Sequence, residues 1–254
     1  MNEKQTSATD LILKQYLETL KLRYMQDNAA SLATTAVNEK WSPMRFLKAL
    51  IEGEFLDRQK RLIDRLIQGA KFPLHKTMSA FDWAWPQKIN KAQIQHLFEL
   101  HFVPENGNVI FLGTAGLGKT HMAIALGYHA CTQGHSVLYA SAMDIINTLS
   151  AAKEPGRLKY ELKKYLTPKI LIIDELGYLP IDQLGANLLF QVISQRYEKG
   201  CIILTTNKVF KQWPNTFNRD PVITTAVLDR LLHHAQTVVI QGKSYRMKDQ
   251  IPNQ

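Results

Sequence analysis

One glycine-rich segment has the residue types and the spacing that bind a triphosphate. Residues 113–120 read GTAGLGKT and fit the pattern G-x-x-x-x-G-K-[ST] at every fixed position. Glycines let the backbone wrap a phosphate with its N–H groups inward, Lys119 can reach the β- and γ-phosphates, and the Thr120 hydroxyl can ligate Mg²⁺. The predicted nucleotide-binding residues are Gly113, Thr114, Ala115, Gly116, Leu117, Gly118, Lys119, Thr120 and His121.

Two carboxylates and an amide stand at the ends of two later apolar runs, KILIIDE and IILTTN. Asp174 can hold Mg²⁺, usually through water, and Glu175 can orient and polarise the water that attacks a phosphate. Asn207 could contact that water and the γ-phosphate and so report which nucleotide is bound. The sequence therefore predicts Lys119, Glu175 and Asn207 as catalytic residues, and Thr120 and Asp174 as metal ligands.

These side chains need a scaffold in which the ends of strands meet, and the chain from residue 108 onward predicts one. Apolar runs alternate with helical segments, which is typical of an α/β fold with a parallel sheet flanked by helices. Right-handed crossovers bring the carboxyl ends of the strands to one edge, where a nucleotide binds. The predicted strands are 108–112, 136–141, 169–174, 201–206 and 237–241, separated by helices at 119–133, 144–166, 183–199 and 222–234.

The part of the chain before this domain predicts helices. Ser42 followed by Pro43 is a typical helix start, with serine as the cap and proline at the first helical position. Further along, Arg58, Arg61 and Arg65 share one helix face. That face is either simply solvated or binds phosphates, and the spacing does not separate the two.

Proline and aromatic residues set residues 71–100 apart as a connector, which we expect to pack against the next domain or to lie near the adenine. The expected organisation is a small all-α module at 1–70, this connector at 71–100 and a nucleotide-binding domain at 101–254.

Composition narrows the class of protein. The 254 residues carry a net charge of +9, which suggests a polyanionic partner such as nucleic acid. No apolar run approaches the ~20 residues of a membrane helix, so we expect no membrane association. The N-terminal residues lack the apolar core of a secretory signal, and the two cysteines are isolated. We therefore expect a cytoplasmic protein.

Longer strings give a specific resemblance. GTAGLGKT, ILIIDE and TTN look like the Walker A, Walker B and sensor 1 motifs of the AAA+ ATPases. LIIDELGYLP, LLFQVISQRYEKG and LDRLLHHA followed by GKSYR narrow the match to the IstB-like family, ATP-binding helpers of transposition close to the DnaC-type helicase loaders. The resemblance implies an AAA+ P-loop core with a parallel five-stranded sheet, ATP and Mg²⁺ as cofactors, and ATP hydrolysis.

The resemblance also implies an oligomer. Arg230 in LDRLLHHA matches the position of the arginine finger, which reaches the γ-phosphate held by a neighbouring subunit; Arg219 and Arg246 are competing candidates. The usual C-terminal helical lid is not expected after the last strand. We therefore expect the nucleotide to be covered by a neighbouring subunit or by the N-terminal module, and we assign no sensor 2 residue.

A helical insertion that related initiator-type ATPases use on DNA corresponds to residues 144–166. Leu158, Leu162 and Leu166 are spaced to pack inward, which leaves the cations outward. We expect no aromatic stacking platform among these cations, and hence contacts to the DNA backbone rather than to bases. The candidate DNA-binding residues are Lys153, Arg157, Lys159, Lys163 and Lys164, together with Arg58, Arg61 and Arg65.

The resulting hypothesis is an ATP-dependent helper that forms a homo-oligomer on duplex DNA, selects and remodels target DNA and regulates a separately encoded transposase. A DnaC-type replicative helicase loader is the main alternative, since it would share the ATPase chemistry and differ in the target of the N-terminal module. A phosphate-loop small-molecule kinase is the third, and it would need an acceptor pocket.

Overall fold

The computed structural model describes residues 3–250, with side chains for residues 11–247. The chain divides into two compact units, residues 1–64 and 65–254. No helix of the described residues is long and apolar enough to cross a membrane.

The first unit is helical, as predicted. It contains α1 (Glu3–Thr19), α2 (Arg23–Asn38) and most of α3 (Pro43–Ala70). The Ser42 hydroxyl accepts a hydrogen bond from the backbone N–H of Arg45 at 3.2 Å, so the predicted cap of α3 is confirmed. α3 continues to residue 70, but the two units divide at residue 64. The domain limits at residues 70 and 100 stay a prediction.

A buried carboxylate joins α2 to α3. Glu54 is 4 % exposed and accepts hydrogen bonds from the backbone N–H groups of Tyr24 (2.9 Å) and Met25 (3.4 Å), in the first turn of α2. Arg58 and Arg61 each approach Glu54 Oε1 to 3.1 Å. The charge of Glu54 thus caps the positive end of α2 and is neutralised by two arginines from its own helix.

The second unit is built on a five-stranded parallel sheet in the order β2-β3-β4-β1-β5, which confirms the predicted architecture. Its helices begin with the short α4 (Lys91–Leu97) in the connector. The strands are β1 (Asn108–Leu112), β2 (Val137–Ser141), β3 (Ile170–Leu176), β4 (Cys201–Thr206) and β5 (Ala235–Val239). The remaining helices are α5 (Lys119–Thr132), α6 (Ala142–Lys153), α7 (Leu158–Leu166), α8 (Gln183–Arg196), α9 (Trp213–Thr216) and α10 (Pro221–Leu232).

The sheet separates two apolar cores because successive strand residues point to opposite faces. In β3, Leu171 and Ile173 pack into the core with α6, α7, α8 and α10. Ile170 and Ile172 pack into the core with α5 and the connector. This two-sided burial explains why the strands read as continuous apolar runs rather than as alternating ones.

The segment 144–166 differs from the prediction of a single helix. It forms α6 and α7, with a turn at Glu154–Arg157 between them. Pro155 and Gly156 cause the break: proline has no N–H to continue the hydrogen bonds of the helix, and Gly156 adopts a left-handed φ of 70°.

Arg196, the last residue of α8, binds main-chain carbonyl groups at the C-terminal end of α7. Its side chain is 2 % exposed and donates to main-chain carbonyl oxygens in the segment from Tyr165 to Lys169 and to that of Cys201. Burial lowers the pKa of Arg196 to about 10, so the guanidinium is still protonated at neutral pH. The two acceptors Tyr165 and Leu166 are carbonyls that the C-terminus of α7 leaves without helical partners.

Candidate nucleotide-binding site

Strand register brings the predicted site residues to one edge of the sheet. Leu112, the last residue of β1, pairs with Thr206, the last of β4. Ser141, at the end of β2, pairs with Asp174 in β3. The loop 113–118, Asp174 and Asn207 therefore follow neighbouring strands at the same carboxyl edge, as the parallel sheet predicted.

The phosphate loop depends on glycine at two points. Gly116 and Gly118 have φ values of 77° and 83°, a conformation that side chains resist. A Cβ on Gly116 would also lie 2.0 Å from Ser244 Oγ. Lys119 begins α5, and its ammonium donates to the Thr114 carbonyl oxygen at 2.7 Å. This hydrogen bond holds the lysine over the loop.

Opposing effects of the surroundings act on the pKa of Lys119. Burial lowers the pKa of its ammonium, and the nearby carboxylates of Asp174 and Glu175 act in the opposite direction. Arg246 reinforces the lowering, and it lines the same cavity as Lys119.

Asp174 is a buried carboxylate, 3 % exposed, that accepts hydrogen bonds from three hydroxyl groups. The donors are Thr120 (3.0 Å), Tyr139 (2.7 Å) and Thr205 (2.5 Å). Burial and the hydrogen bond to Asp174 raise the pKa of Tyr139, so its hydroxyl keeps the proton that it donates. Because all three donors are neutral, the carboxylate charge is available to a cation. A carboxylate beside a threonine hydroxyl is a donor set that fits Mg²⁺.

Glu175 lies in a β-bulge, where the regular pairing of β3 with β4 is interrupted. Its φ is 59°, left-handed for a residue with a side chain, and the register between β3 and β4 shifts between Ile173 and Leu176. This bulge turns the exposed Glu175 side chain toward the nucleotide cavity. The Thr205 hydroxyl holds the backbone of the bulge by accepting a hydrogen bond from the Glu175 N–H at 2.9 Å. Strained backbone of this kind is common at functional sites.

A cavity of about 520 Å³ lies above the phosphate loop. It is within the usual size range of small-molecule sites, about 300–1,000 Å³. Lys119, Glu175 and Asn207 line it together, and in the described structure the buried Oδ1 of Asn207 has no hydrogen-bond partner. An acceptor without a donor beside the cavity suits contact with a water, which can donate to it. Residues 73–76 and 80–82 of the connector complete the wall.

Aromatic packing joins the connector to the start of α5. The Phe81 ring packs edge-on to His121, and a Cβ on Gly118 would lie 2.5 Å from Phe81 Cε2. A ring nitrogen of His121 is 2.8 Å from the Thr77 carbonyl oxygen, which can only accept, so this nitrogen carries a proton. Burial lowers the pKa of His121, which favours the neutral ring. His121 therefore anchors the connector and also lines the cavity, and its predicted contact with the nucleotide stays a prediction.

The C-terminal segment covers the loop from the other side. Lys88 and Gln241 exchange two backbone hydrogen bonds, and the Trp85 indole donates to the Lys243 carbonyl oxygen at 2.8 Å. Tyr245 packs edge-on to Trp85 and donates its backbone N–H to the Gly116 carbonyl oxygen at 2.9 Å. We call residues 81–88 and 241–246 the roof. Residues of the same chain therefore cover part of the site. Closure by a neighbouring subunit or by the N-terminal module stays a prediction.

The three candidate arginines lie in different places. Arg246 lines the cavity of its own chain. Arg219 is exposed in the loop before α10. Arg230 lies in the last turn of α10, where the side chain of Asn108, the first residue of β1, donates to the Leu231 carbonyl oxygen. This is the amino edge of the sheet, so Arg230 is remote from the phosphate loop of its own chain.

The candidate DNA-binding residues separate into two groups. Lys153, Arg157, Lys159, Lys163 and Lys164 are all exposed, as predicted, and Leu162 on the opposite side of α7 is buried. Arg58 and Arg61 instead contact Glu54 in the first unit. Their predicted phosphate contacts, and that of Arg65, stay predictions.

Sequence reasoning missed Tyr139 and Thr205. Both precede strand ends beside Asp174, so the alternation of side chains along β2 and β4 could have indicated them. It also missed the roof, because its contacts join residues about 150 positions apart.

Comparison with known families identifies the chain. A family model described as IstB-like ATP binding protein matches residues 15–252. The chain belongs to the IstB-like ATP-binding proteins. Its relatives in this family include the ATP-binding protein of insertion sequence IS232 from Bacillus thuringiensis, 41 % identical over 92 % of this chain and 93 % of the relative. Another is that of IS21 from Pseudomonas aeruginosa, 39 % identical over 93 % of this chain and 89 % of the relative.

Solved structures confirm the AAA+ fold of this IstB-like protein. DnaI matches with a TM-score of 0.55 and 16 % identity, over 67 % of this chain and 90 % of DnaI. DnaA from Aquifex aeolicus, bound to AMPPCP, matches with a TM-score of 0.55 and 20 % identity, over 70 % of this chain and 54 % of DnaA. At these identities the likeness extends to the fold alone.

Proposed function

We propose that this protein is an ATP-hydrolysing, DNA-binding helper of transposition that works as an oligomer on duplex DNA and regulates a separately encoded transposase. The observation that carries the ATPase part is the convergence of Lys119, Glu175 and Asn207 on one cavity, with Asp174 behind Thr120. Binding of ATP is the property named for the family.

In the proposed reaction, Lys119 leaves the Thr114 carbonyl and neutralises the β- and γ-phosphates. Glu175 accepts a hydrogen bond from a water and polarises it for attack on the γ-phosphorus, so that the bond to the ADP oxygen breaks and phosphate leaves. Asn207 orients the same water. Mg²⁺, held by Thr120 and by Asp174 directly or through water, would supply positive charge to the phosphate oxygens.

Two arginines complete the proposed site. Arg246 lies in the cavity beside Lys119, and we assign it to the triphosphate of its own chain. Arg230 lies at the opposite edge of the sheet, donates to the Ala226 carbonyl oxygen and stacks over Phe190. From there it does not reach the nucleotide of its own chain, so the finger role that we assign to it requires a neighbour's nucleotide in a homo-oligomer.

The DNA part rests on charge. The chain carries a net charge of +9, and a cluster of exposed cations lies at the end of α6 and along α7. The transposition part rests on relatives whose names place them in insertion sequences, which favours a transposase over a replicative helicase as the partner. Such a helper acts in the cytoplasm, where the element's DNA is.

The test separates binding from hydrolysis. Lys119→Ala should lose ATP binding, whereas Glu175→Gln should bind ATP normally and turn over about 10²- to 10⁴-fold more slowly, because an amide polarises water poorly. Glu52→Gln, an exposed glutamate of α3 that does not line the cavity, is the matched control and should behave as wild type. Wild-type turnover by Glu175→Gln would refute the mechanism. Capture of a replicative helicase, and not of the element's transposase, would show a helicase loader instead.

A further inference from the structure

An exposed tyrosine lies in the middle of the basic face of α7. The Tyr160 side chain is 74 % exposed, between Lys159 on one side and Lys163 and Lys164 one turn further along. Tyr160, Glu161, Lys163, Lys164 and Thr167 line one shallow hollow. Our expectation that no aromatic platform interleaves these lysines is therefore wrong.

The side of α7 opposite Tyr160 is fixed to the protein core. Leu162 and Tyr165 are buried in the core beneath the helix, and Leu158 packs against it. Arg196 binds the carbonyl oxygens at the end of the helix. Tyr160 is thus presented outward by a helix that is fixed along its opposite side.

We propose that Tyr160 stacks on an unpaired DNA base, while the lysines of α7 bind the phosphates on either side of it. Residues three and four apart on a helix have Cβ atoms about 5–6 Å apart, so Lys163 and Lys164 share one helix face with Tyr160 and line the same hollow. Aromatic stacking accepts any base, because every base has a π-face. The inference rests on the proposed binding of DNA and deepens it, since it adds a base contact to the phosphate contacts.

Charge favours a nucleic acid as the occupant of this surface. Five exposed cations lie between residues 153 and 164, against two acidic residues, Glu154 and Glu161. A neutral apolar partner would cover the ring but leave these charges uncompensated, whereas a DNA strand supplies a base and its flanking phosphates together. The duplex on which the helper works offers this base contact only where it is opened, as in a bubble, because an intact duplex must first be unstacked; a single strand offers the contact directly.

The experiment compares salt titrations of DNA binding by fluorescence anisotropy. The full-length protein is tested on a single strand, on a duplex with an unpaired bubble and on the intact duplex. Tyr160→Ala should weaken binding to the open DNAs by about five- to 150-fold, the range expected for one stacked base. The slope against salt should not change, because no charge is lost. Tyr160→Phe should bind as wild type, because it keeps the ring.

A lysine variant, unlike Tyr160→Ala, should change the slope of the salt titration. Lys163→Ala should lower the slope of the log–log salt plot by about 0.7 on a single strand and about 0.9 on a duplex. The matched control is Tyr16→Ala, which removes an exposed tyrosine from α1 and should leave both affinity and slope unchanged. A 2-aminopurine base in the bubble reports stacking directly: wild type should change its fluorescence, and Tyr160→Ala should not.

The outcomes distinguish this inference from the function on which it rests. If Lys163→Ala changes the slope but Tyr160→Ala binds open DNA like wild type, the stacking proposal is overturned and DNA binding stands. If the wild-type protein binds none of the three DNAs, both are overturned.

Discussion

Thr205 is the side chain whose removal most directly tests how the catalytic edge is held together. It is 1 % exposed, donates to Asp174 and accepts the N–H of Glu175. Thr205→Val keeps the shape of the side chain and removes both hydrogen bonds. We therefore expect a loss of stability that comes from hydrogen bonding and not from a cavity.

The magnitude follows from the two lost bonds. A hydrogen bond to a charged group contributes about 1.5–3 kcal/mol, and a buried donor left without an acceptor costs about 1–3 kcal/mol. Because the Glu175 N–H is only partly buried, water can replace some of the second contribution. The expected loss in the free energy of unfolding is about 3–4 kcal/mol, measured by urea denaturation without nucleotide.

A matched control is available in α10. Thr224 is 2 % exposed, and its hydroxyl donates to the Asp220 carbonyl oxygen at 2.6 Å, with no charged group involved. Thr224→Val should cost about 1 kcal/mol and leave ATP turnover unchanged. Thr205→Val should also slow turnover, because Glu175 loses the contact that fixes its left-handed backbone. Equal losses of stability in the two variants would refute the reasoning.

Three further predictions concern the oligomer, the roof and the first unit. Arg230→Ala and Lys119→Ala should each lack ATPase activity, and mixing them should restore part of it; a mixture that stays inactive while oligomers form would show that another arginine is the finger. Trp85→Phe should speed release of a fluorescent ADP analogue in stopped-flow by about two- to twelvefold, the value of one hydrogen bond, and an unchanged rate would argue against the roof. Glu54→Gln should lower the free energy of unfolding by about 2–3 kcal/mol in urea, since the cap of α2 loses its charge; a loss below about 0.5 kcal/mol would contradict that account.

Local sequence predicted the fold because its signals are local. The strands β1, β3 and β4 contain apolar runs, and helical segments separate them along the chain, so the order of elements was readable without any distant contact. Prediction of β5 was two residues late, because the strand begins with the small and polar residues Ala235 and Gln236. The break between α6 and α7 was also readable, from Pro155 and Gly156, and was missed because the leucine spacing continues after it.

The site was only partly predictable for a physical reason. Lys119, Asp174 and Glu175 follow from motifs that fix residue types at strand ends. The bulge that turns Glu175 outward depends on the pairing of β3 with β4, and the roof depends on Trp85 meeting Lys243. Exposure of Tyr160 depends on which side of α7 meets the core. These are properties of packing between distant segments, which spacing along one segment does not contain.

The anchoring of α7 by Arg196 has a practical consequence. All five of its acceptors are neutral carbonyl oxygens, so the attachment contains no ion pair for dissolved ions to screen. The lysines on the outer side of the same helix act on phosphates through contacts that ions weaken strongly. Concentrated salt should therefore strip nucleic acid from the protein during purification while α7 keeps its place, and dialysis to low salt should restore binding without any refolding step.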